Sequence, residues 1–250
     1  MAELQEKQAD ILKQLAELKK QILSIKSDLN TNFSVSVAKT VSTTSKHKVE
    51  TGSADGFPDF VIKASPTNPP YSLEILQKLL KDIVSLSFIV RTHSSVPVLT
   101  ENAKELQKRL VNFKPDTSAP KVNVTLIWKS VGVDTELLVG FLQIRGEVNL
   151  LRYLSRATQS PLTYNSDPNS IEVDSILDVC YLIARSKTKV ERAALYQCLN
   201  KSLGKAQWLI GSSQIGIADL AAYSAIKQVS GDSDVNATLK KWYQRCELVA

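Results

Sequence analysis

The sequence is poor in the residues that most often carry chemistry. Its 250 residues hold three cysteines, two histidines and nine glycines, and only 6% are aromatic. Cys180, Cys198 and Cys246 are odd in number and form no C-x-x-C. This excludes a disulfide framework, a structural zinc site and a thioredoxin-type redox pair. His47 and His93 cannot build a metal cluster. No G-x-G-x-x-G, G-x-x-x-x-G-K-[ST] or H-E-x-x-H occurs, so nucleotide cradles and zinc-hydrolase chemistry are not expected. The scattered aromatics offer no stacking platform for single-stranded nucleic acid. No apolar run reaches membrane length, and the charged N-terminus is unlike a secretory signal. The sequons at Asn32, Asn123, Asn200 and Asn236 are then expected to be silent, and the expected compartment is the cytosol, with the nucleus open as a second one. No metal, cofactor or membrane partner is expected.

What is present is a sizeable core and a pattern. Hydrophobic residues make up 43% of the chain. The formal charge of +6 is compatible with contact to RNA or to acidic proteins, and is read most simply as a solvated basic surface.

Residues 1–29 carry heptads. Leu4, Ile11, Leu18 and Ile25 recur every seven residues at d positions, and Leu15, Ile22 and Leu29 occupy a positions, with Gln8 as the polar a residue. The g positions (Lys7, Gln14, Gln21, Asp28) and e positions (Gln5, Leu12, Lys19, Lys26) form no attractive pairs in a parallel homodimer. The spacing predicts a coiled-coil helix that prefers a different, more acidic partner. Residues 30–58, rich in Ser, Thr and Lys, read as a flexible linker.

Residues 59–157 read as β-α-β-α-β-β-α, with Val122 to Trp128 and Leu137 to Leu142 as hairpin-paired strands around Gly132. Residues 158–250 read as a helical bundle. Within it, Gln207-Trp208-Leu209-Ile210-Gly211 reads as a helix end closed by Gly211. Gly216 and Asp219 then form half of a capping box, the carboxylate reaching back to the N-cap amide.

The run Trp208-Leu209-Ile210-Gly211 through Ala218-Asp219 to Tyr223 resembles the W-L-x-G…T-x-A-D-x-x-x-Y signature of the glutathione-transferase helical domain, with Gly216 in place of Thr. The resemblance implies a thioredoxin-like α/β subdomain followed by an all-α bundle, here preceded by a coiled-coil helix. That family binds the glutathione carboxylate at an E-S-x-A-I-x-R-Y-L helix start. This chain reads Gly146-Glu147-Val148-Asn149-Leu150-Leu151-Arg152-Tyr153-Leu154. An anionic Glu147 at the Ser position repels an anionic ligand, so catalysis is expected to be lost. The resemblance further places Arg152 and Arg156 across a dimer-type interface from acids on the next helix, here Asp174 and Asp178. Leu106 and Leu110 are assigned to a protein interface as well.

The combination of heptads, linker and degenerate transferase domain is narrower. With Leu4-Gln5-Glu6-Lys7-Gln8, Thr92-His93-Ser94-Ser95-Val96, Thr125-Leu126-Ile127-Trp128-Lys129 and Ala206-Gln207-Trp208-Leu209, the chain resembles the synthetase-complex-interacting multifunctional proteins, scaffolds of the animal multi-aminoacyl-tRNA synthetase complex. That resemblance implies a non-catalytic hub whose partners are glutamyl-prolyl-tRNA synthetase, aspartyl-tRNA synthetase and, through another scaffold subunit, the arginyl-tRNA synthetase arm. In the family an N-terminal extension captures lysyl-tRNA synthetase. The heptads here start almost at Met1, so either the chain is trimmed or it lacks that partner. Direct nucleic-acid binding is not expected. A divergent glutathione-dependent transferase and a tRNA-binding accessory subunit are the alternative readings.

Overall fold

The computed structural model describes residues 57–250 apart from 116, 159–161, 167 and 230–234. The predicted coiled coil and most of the predicted linker lie outside the described residues.

Five strands form one mixed sheet: β1 Phe60–Ala64, β2 Ser85–Thr92, β3 Lys121–Trp128, β4 Glu136–Val139 and β5 Leu142–Arg145, in the order β2-β3-β1-β4-β5. β3 shows why it is central. Val122, Val124, Leu126 and Trp128 are buried at every second position, the period of a strand with one face on a core. β3 runs parallel to β1 on one side and to β2 on the other. Both of its edges are therefore occupied, and the expected hairpin between β3 and residues 137–142 does not form. β4 instead pairs antiparallel with β1 and with β5. The hairpin turns at Gly140, whose φ of 56° suits a two-residue loop, so residues 137–142 split into two strands.

Three helices join this sheet: α2 Glu101–Asn112 packs on β2, α3 Glu147–Ala157 packs on β4 and β5, and α1 Ser72–Leu79 packs against α2. Thr100 caps α2 by accepting from the Ala103 amide at 3.3 Å. Leu106 and Leu110, expected at a protein interface, are each 1% exposed and belong to the core. With Ala103 they form the apolar stripe, spaced three and four residues, that α2 turns toward α1 and β2. Each buried leucine is worth about 1.5–3 kcal/mol here, which makes it unavailable to a partner.

Among the described residues the other helices are α4 Ser170–Ile183, α5 Lys189–Leu203, α6 Ile217–Val229 and α7 Ala237–Val249, with a 3-10 turn at Leu209–Gly211. α5 is opened by a full capping box between Thr188 and Glu191 and ends at Gly204, whose φ is 53°. Gly211 does take a positive φ of 67°, but it closes the isolated 3-10 turn and not a longer helix. α6 is buried on every side from Ile217 to Ile226 and contacts α1, α3, α4 and α7. A helix apolar all round is one that others are built on.

Asp219 in the first turn of α6 is 1% exposed and serves three segments. Its Oδ2 accepts from the Gly216 amide at 2.9 Å; its Oδ1 accepts from the Leu209 amide at 3.0 Å and from Trp242 Nε1 of α7 at 2.7 Å. Burial pushes its carboxyl up from the ordinary 3.8 to about 6, against these hydrogen bonds, which favour the anion. Removing the acceptor would strand two fully buried donors and one partly buried one. Asp219→Ala is therefore expected to cost about 3 kcal/mol, read as a lower urea midpoint.

The pH dependence has a definite sign. Between pH 3.8 and about 6 the folded chain keeps a proton on Asp219 that the unfolded chain has released. The contribution of Asp219 is thus largest below that window and falls as pH rises through it, by about 3 kcal/mol. The stability difference between the parent and the non-titrating Asp219→Asn variant is expected to shrink from pH 4 to pH 7. A flat or growing difference would contradict the assignment.

Candidate functional site

Glu147, which the resemblance aligns with the transferase ligand position, is engaged by the chain itself. Gly146, at φ 90°, turns β5 into α3 and sets Glu147 as the first residue of that helix. The Glu147 carboxylate points inward. Oε1 accepts from the Ser72 hydroxyl and from the Ser72 amide, the latter at 3.3 Å, at the start of α1. Oε2 accepts from Gln228 Nε2 of α6 at 2.7 Å, and the same nitrogen donates to the Pro69 carbonyl at 2.9 Å. Burial raises the Glu147 pKa, opposed by the donors around it. One carboxylate thus joins both subdomains and occupies the helix N-terminus where an anion would sit.

Little space is left beside it. The cavity next to Glu147, lined also by Val133, Cys180, Tyr181 and Arg185, measures about 20 Å³. That is room for about one water. Arg185 closes the rim, bonded to Asp134 and stacked 3.3 Å from the Tyr181 ring centroid. The nearby polar groups are not activated. Burial raises the Cys180 thiol far above its ordinary range and pushes Tyr71 up to about 12. Ser65 is engaged with Thr67 at 2.8 Å, and Ser72 with Glu147. Among the described residues no group of three or more His, Cys, Asp or Glu could hold a metal ion, and no helix is long and apolar enough to cross a membrane.

The arginine face has a different geometry from the one expected. Arg152 of α3 reaches both acids within its own chain: Nε donates to Asp174 Oδ1 at 2.9 Å and Nη2 to Asp178 Oδ1 at 3.0 Å, both on α4. Tyr164 OH donates to the same Asp174 oxygen at 2.8 Å. The Arg152 side chain is 20% exposed. Burial works against its charge, and the hydrogen bonds it donates to Asp178 and Asp174 outweigh that effect. Arg156, one turn on, is exposed and touches Asn165 at 3.3 Å. Arg152, Asp174 and Asp178 are therefore one intrachain cluster, while Arg156 faces outward. Leu106 and Leu110 lie in the core, away from any such face, and Gly216 with Asp219 lies at the base of α6. Leu4, Ile11, Leu15, Leu18, Ile22, Ile25 and Leu29 lie outside the described residues.

Sequence reasoning missed Gln228 and Ser72 as the partners of Glu147. No local spacing signals them, since they stand 81 and 75 residues away. It also missed the Glu74–Arg109 bridge at 3.1 Å, which ties α1 to α2.

Residues 55–144 match the family described as a thioredoxin-like domain. The chain is 31% identical to the probable aminoacyl tRNA synthase complex-interacting multifunctional protein 2 of Drosophila melanogaster, over 97% of this chain and 72% of that protein. It is 31% identical to the human protein named aminoacyl tRNA synthase complex-interacting multifunctional protein 2, over 99% and 80%. Among solved structures, a chain from two binary sub-complexes of yeast aminoacyl-tRNA synthetases aligns with a TM-score of 0.44 at 10% identity, covering 76% of this chain and 86% of that one. A glutathione transferase of Streptococcus pneumoniae aligns at 0.38 and 15% identity, covering 79% and 78%. The length and level of the sequence matches place the chain in the family of aminoacyl tRNA synthase complex-interacting multifunctional protein 2.

Proposed function

We propose that this chain is a non-catalytic scaffold that helps assemble cytosolic aminoacyl-tRNA synthetases into one complex. The observation that carries the reading is Glu147. In a transferase fold the ligand site is the asset, and here the half-buried Glu147 side chain takes that position, bonded from both subdomains. A fold that keeps its core and gives up its cleft has its surfaces left to work with. The names of the relatives supply the kind of partner, since they are described as interacting with the synthetase complex.

In this proposal residues 1–29 form a coiled-coil arm, 30–58 a linker, 59–157 the thioredoxin-like part and 158–250 the helical part. The arm reaches arginyl-tRNA synthetase through another scaffold subunit. The globular part takes glutamyl-prolyl-tRNA synthetase and aspartyl-tRNA synthetase. The docking face for the glutamyl-prolyl enzyme is the outer side of α3 and α4. Arg152, locked by Asp174 and Asp178, gives that face its shape, and Arg156 offers it a cation. Pre-set charges of this kind contribute specificity more than raw affinity.

The two arginines are expected to behave differently. Arg156→Glu removes an exposed contact, so the thermal midpoint stays within about 2 °C while affinity for the transferase-like domain of glutamyl-prolyl-tRNA synthetase falls at least about tenfold, read by calorimetry. Arg152→Glu places a third acid beside Asp174 and Asp178, and lowers the thermal midpoint as well. Unchanged binding by both variants would reject this face. A second assay addresses catalysis. Glu147→Ala strands the Ser72 and Gln228 donors and is expected to cost about 2 kcal/mol. Neither it nor the parent is expected to turn over glutathione with a generic electrophile. Turnover by the parent chain would overturn the non-catalytic reading.

A further inference from the structure

The formal charge of the chain is not spread evenly. Residues 187–205 and 237–250, which contain α5 and α7, hold eight Lys and Arg against two Glu. That difference equals the whole chain's excess of +6, so the rest of the chain is balanced. The two helices pack together, and a groove of about 170 Å³ opens between the Gly204 turn at the end of α5 and the outer side of α7.

The polar groups lining that groove converge. Lys205 enters from the turn, and Thr238, Lys241 and Arg245 line it from α7 at positions i, i+3 and i+7 of one helix face. No carboxylate lines it. Among the described residues neither Lys205 nor Lys241 has a carboxylate within salt-bridge distance. Arg245 is held in place: Nη1 donates to the Gln207 carbonyl, and the guanidinium lies 5.7 Å over the Trp208 ring. A fixed guanidinium flanked by two ammonium groups and a hydroxyl presents only cationic donors and a hydroxyl to its ligand.

From this groove we infer an anion site for the phosphodiester backbone of a nucleic-acid duplex. Three features favour phosphate over an acidic protein segment. The cations converge on one small groove, as suits a tetrahedral oxyanion. Further cations continue along both helices (Lys201 one turn before Lys205, Lys240 beside Lys241), as suits a ligand with regularly repeated charge. No exposed apolar side chain lines the groove as an anchor: Trp242 and Leu203 at its base are buried, at 1% and 2% exposure. A duplex is favoured over single strands because Trp208, the nearby aromatic, is buried beneath Arg245 and cannot stack on an unpaired base. The site reads charge and carries no base-specific donors or acceptors, so it binds without sequence preference.

The test is fluorescence anisotropy of the full chain with a labelled RNA duplex of about 20 base pairs, over a series of salt concentrations. The double variant Lys205→Glu/Lys241→Glu is compared with Lys81→Glu/Lys121→Glu, an equal charge change at two exposed lysines of the α/β part. The groove variant is expected to lose at least about tenfold in affinity near 0.1 M salt, and its dependence of log K on log salt to flatten by about 1.5. The control is expected to stay within about threefold of the parent. Equal losses in both variants would show diffuse attraction and overturn the site, as would an unchanged groove variant. Tighter binding of a polyglutamate of matched charge would assign the groove to an acidic protein and overturn the phosphate reading.

Discussion

The carboxylate of Glu147 is the contact on which the shape of this domain and its chemistry both depend. A buried carboxylate is costly unless donors surround it. Here the donors come from α1 and from α6, which belong to different subdomains. Separating the halves would take Gln228 away from both Glu147 and the Pro69 carbonyl, while the Ser72 bonds, which lie within the first half, would remain. The same contact lies at the start of α3, the position that the sequence resemblance aligns with a transferase's ligand site. Asp219 plays the matching part inside the helical half, tying the 3-10 turn and α7 to the first turn of α6. Two inward-pointing carboxylates, Asp219 buried and Glu147 half-buried, thus serve as internal ligands of the fold.

In the scaffold reading proposed above, the outer helices are what the domain offers to partners. The α3–α4 face is balanced in charge, with Arg152 neutralised by Asp174 and Asp178, and it suits a protein partner of defined shape. The α5–α7 face is cationic and polar, and suits a ligand read by charge. The two faces lie on different helix pairs, so one chain can use both at once. This division gives a scaffold more than one point of attachment without any change to its core.

Much of the fold was legible in local patterns. The alternation in Val122-Asn123-Val124-Thr125-Leu126 marks a strand, and Gly216 with Asp219 marks a helix start, because both signals lie within a few residues of each other. Pairing between distant strands was not legible. A strand followed by Gly132 reads as a hairpin, and only the sheet shows that β1 and β2 already flank β3. Burial misled at Leu106 and Leu110, where an amphipathic stripe facing a core looks the same as one facing a partner. At Glu147 the sequence marked the departure from the ligand-binding pattern, but its partners are set by tertiary packing. Net charge concealed most: +6 over 250 residues looks mild until the helices that carry it are seen side by side.

The central claim is that a filled cleft leaves an assembly scaffold, and purification of the intact chain from cells at its natural level tests it most directly. The chain would be tagged at its own locus, isolated from cytosolic extract and quantified with its companions by mass spectrometry. The account predicts several aminoacyl-tRNA synthetases in near-stoichiometric amounts, with glutamyl-prolyl-tRNA synthetase among them. Recovery of the chain alone, without synthetases, would contradict it.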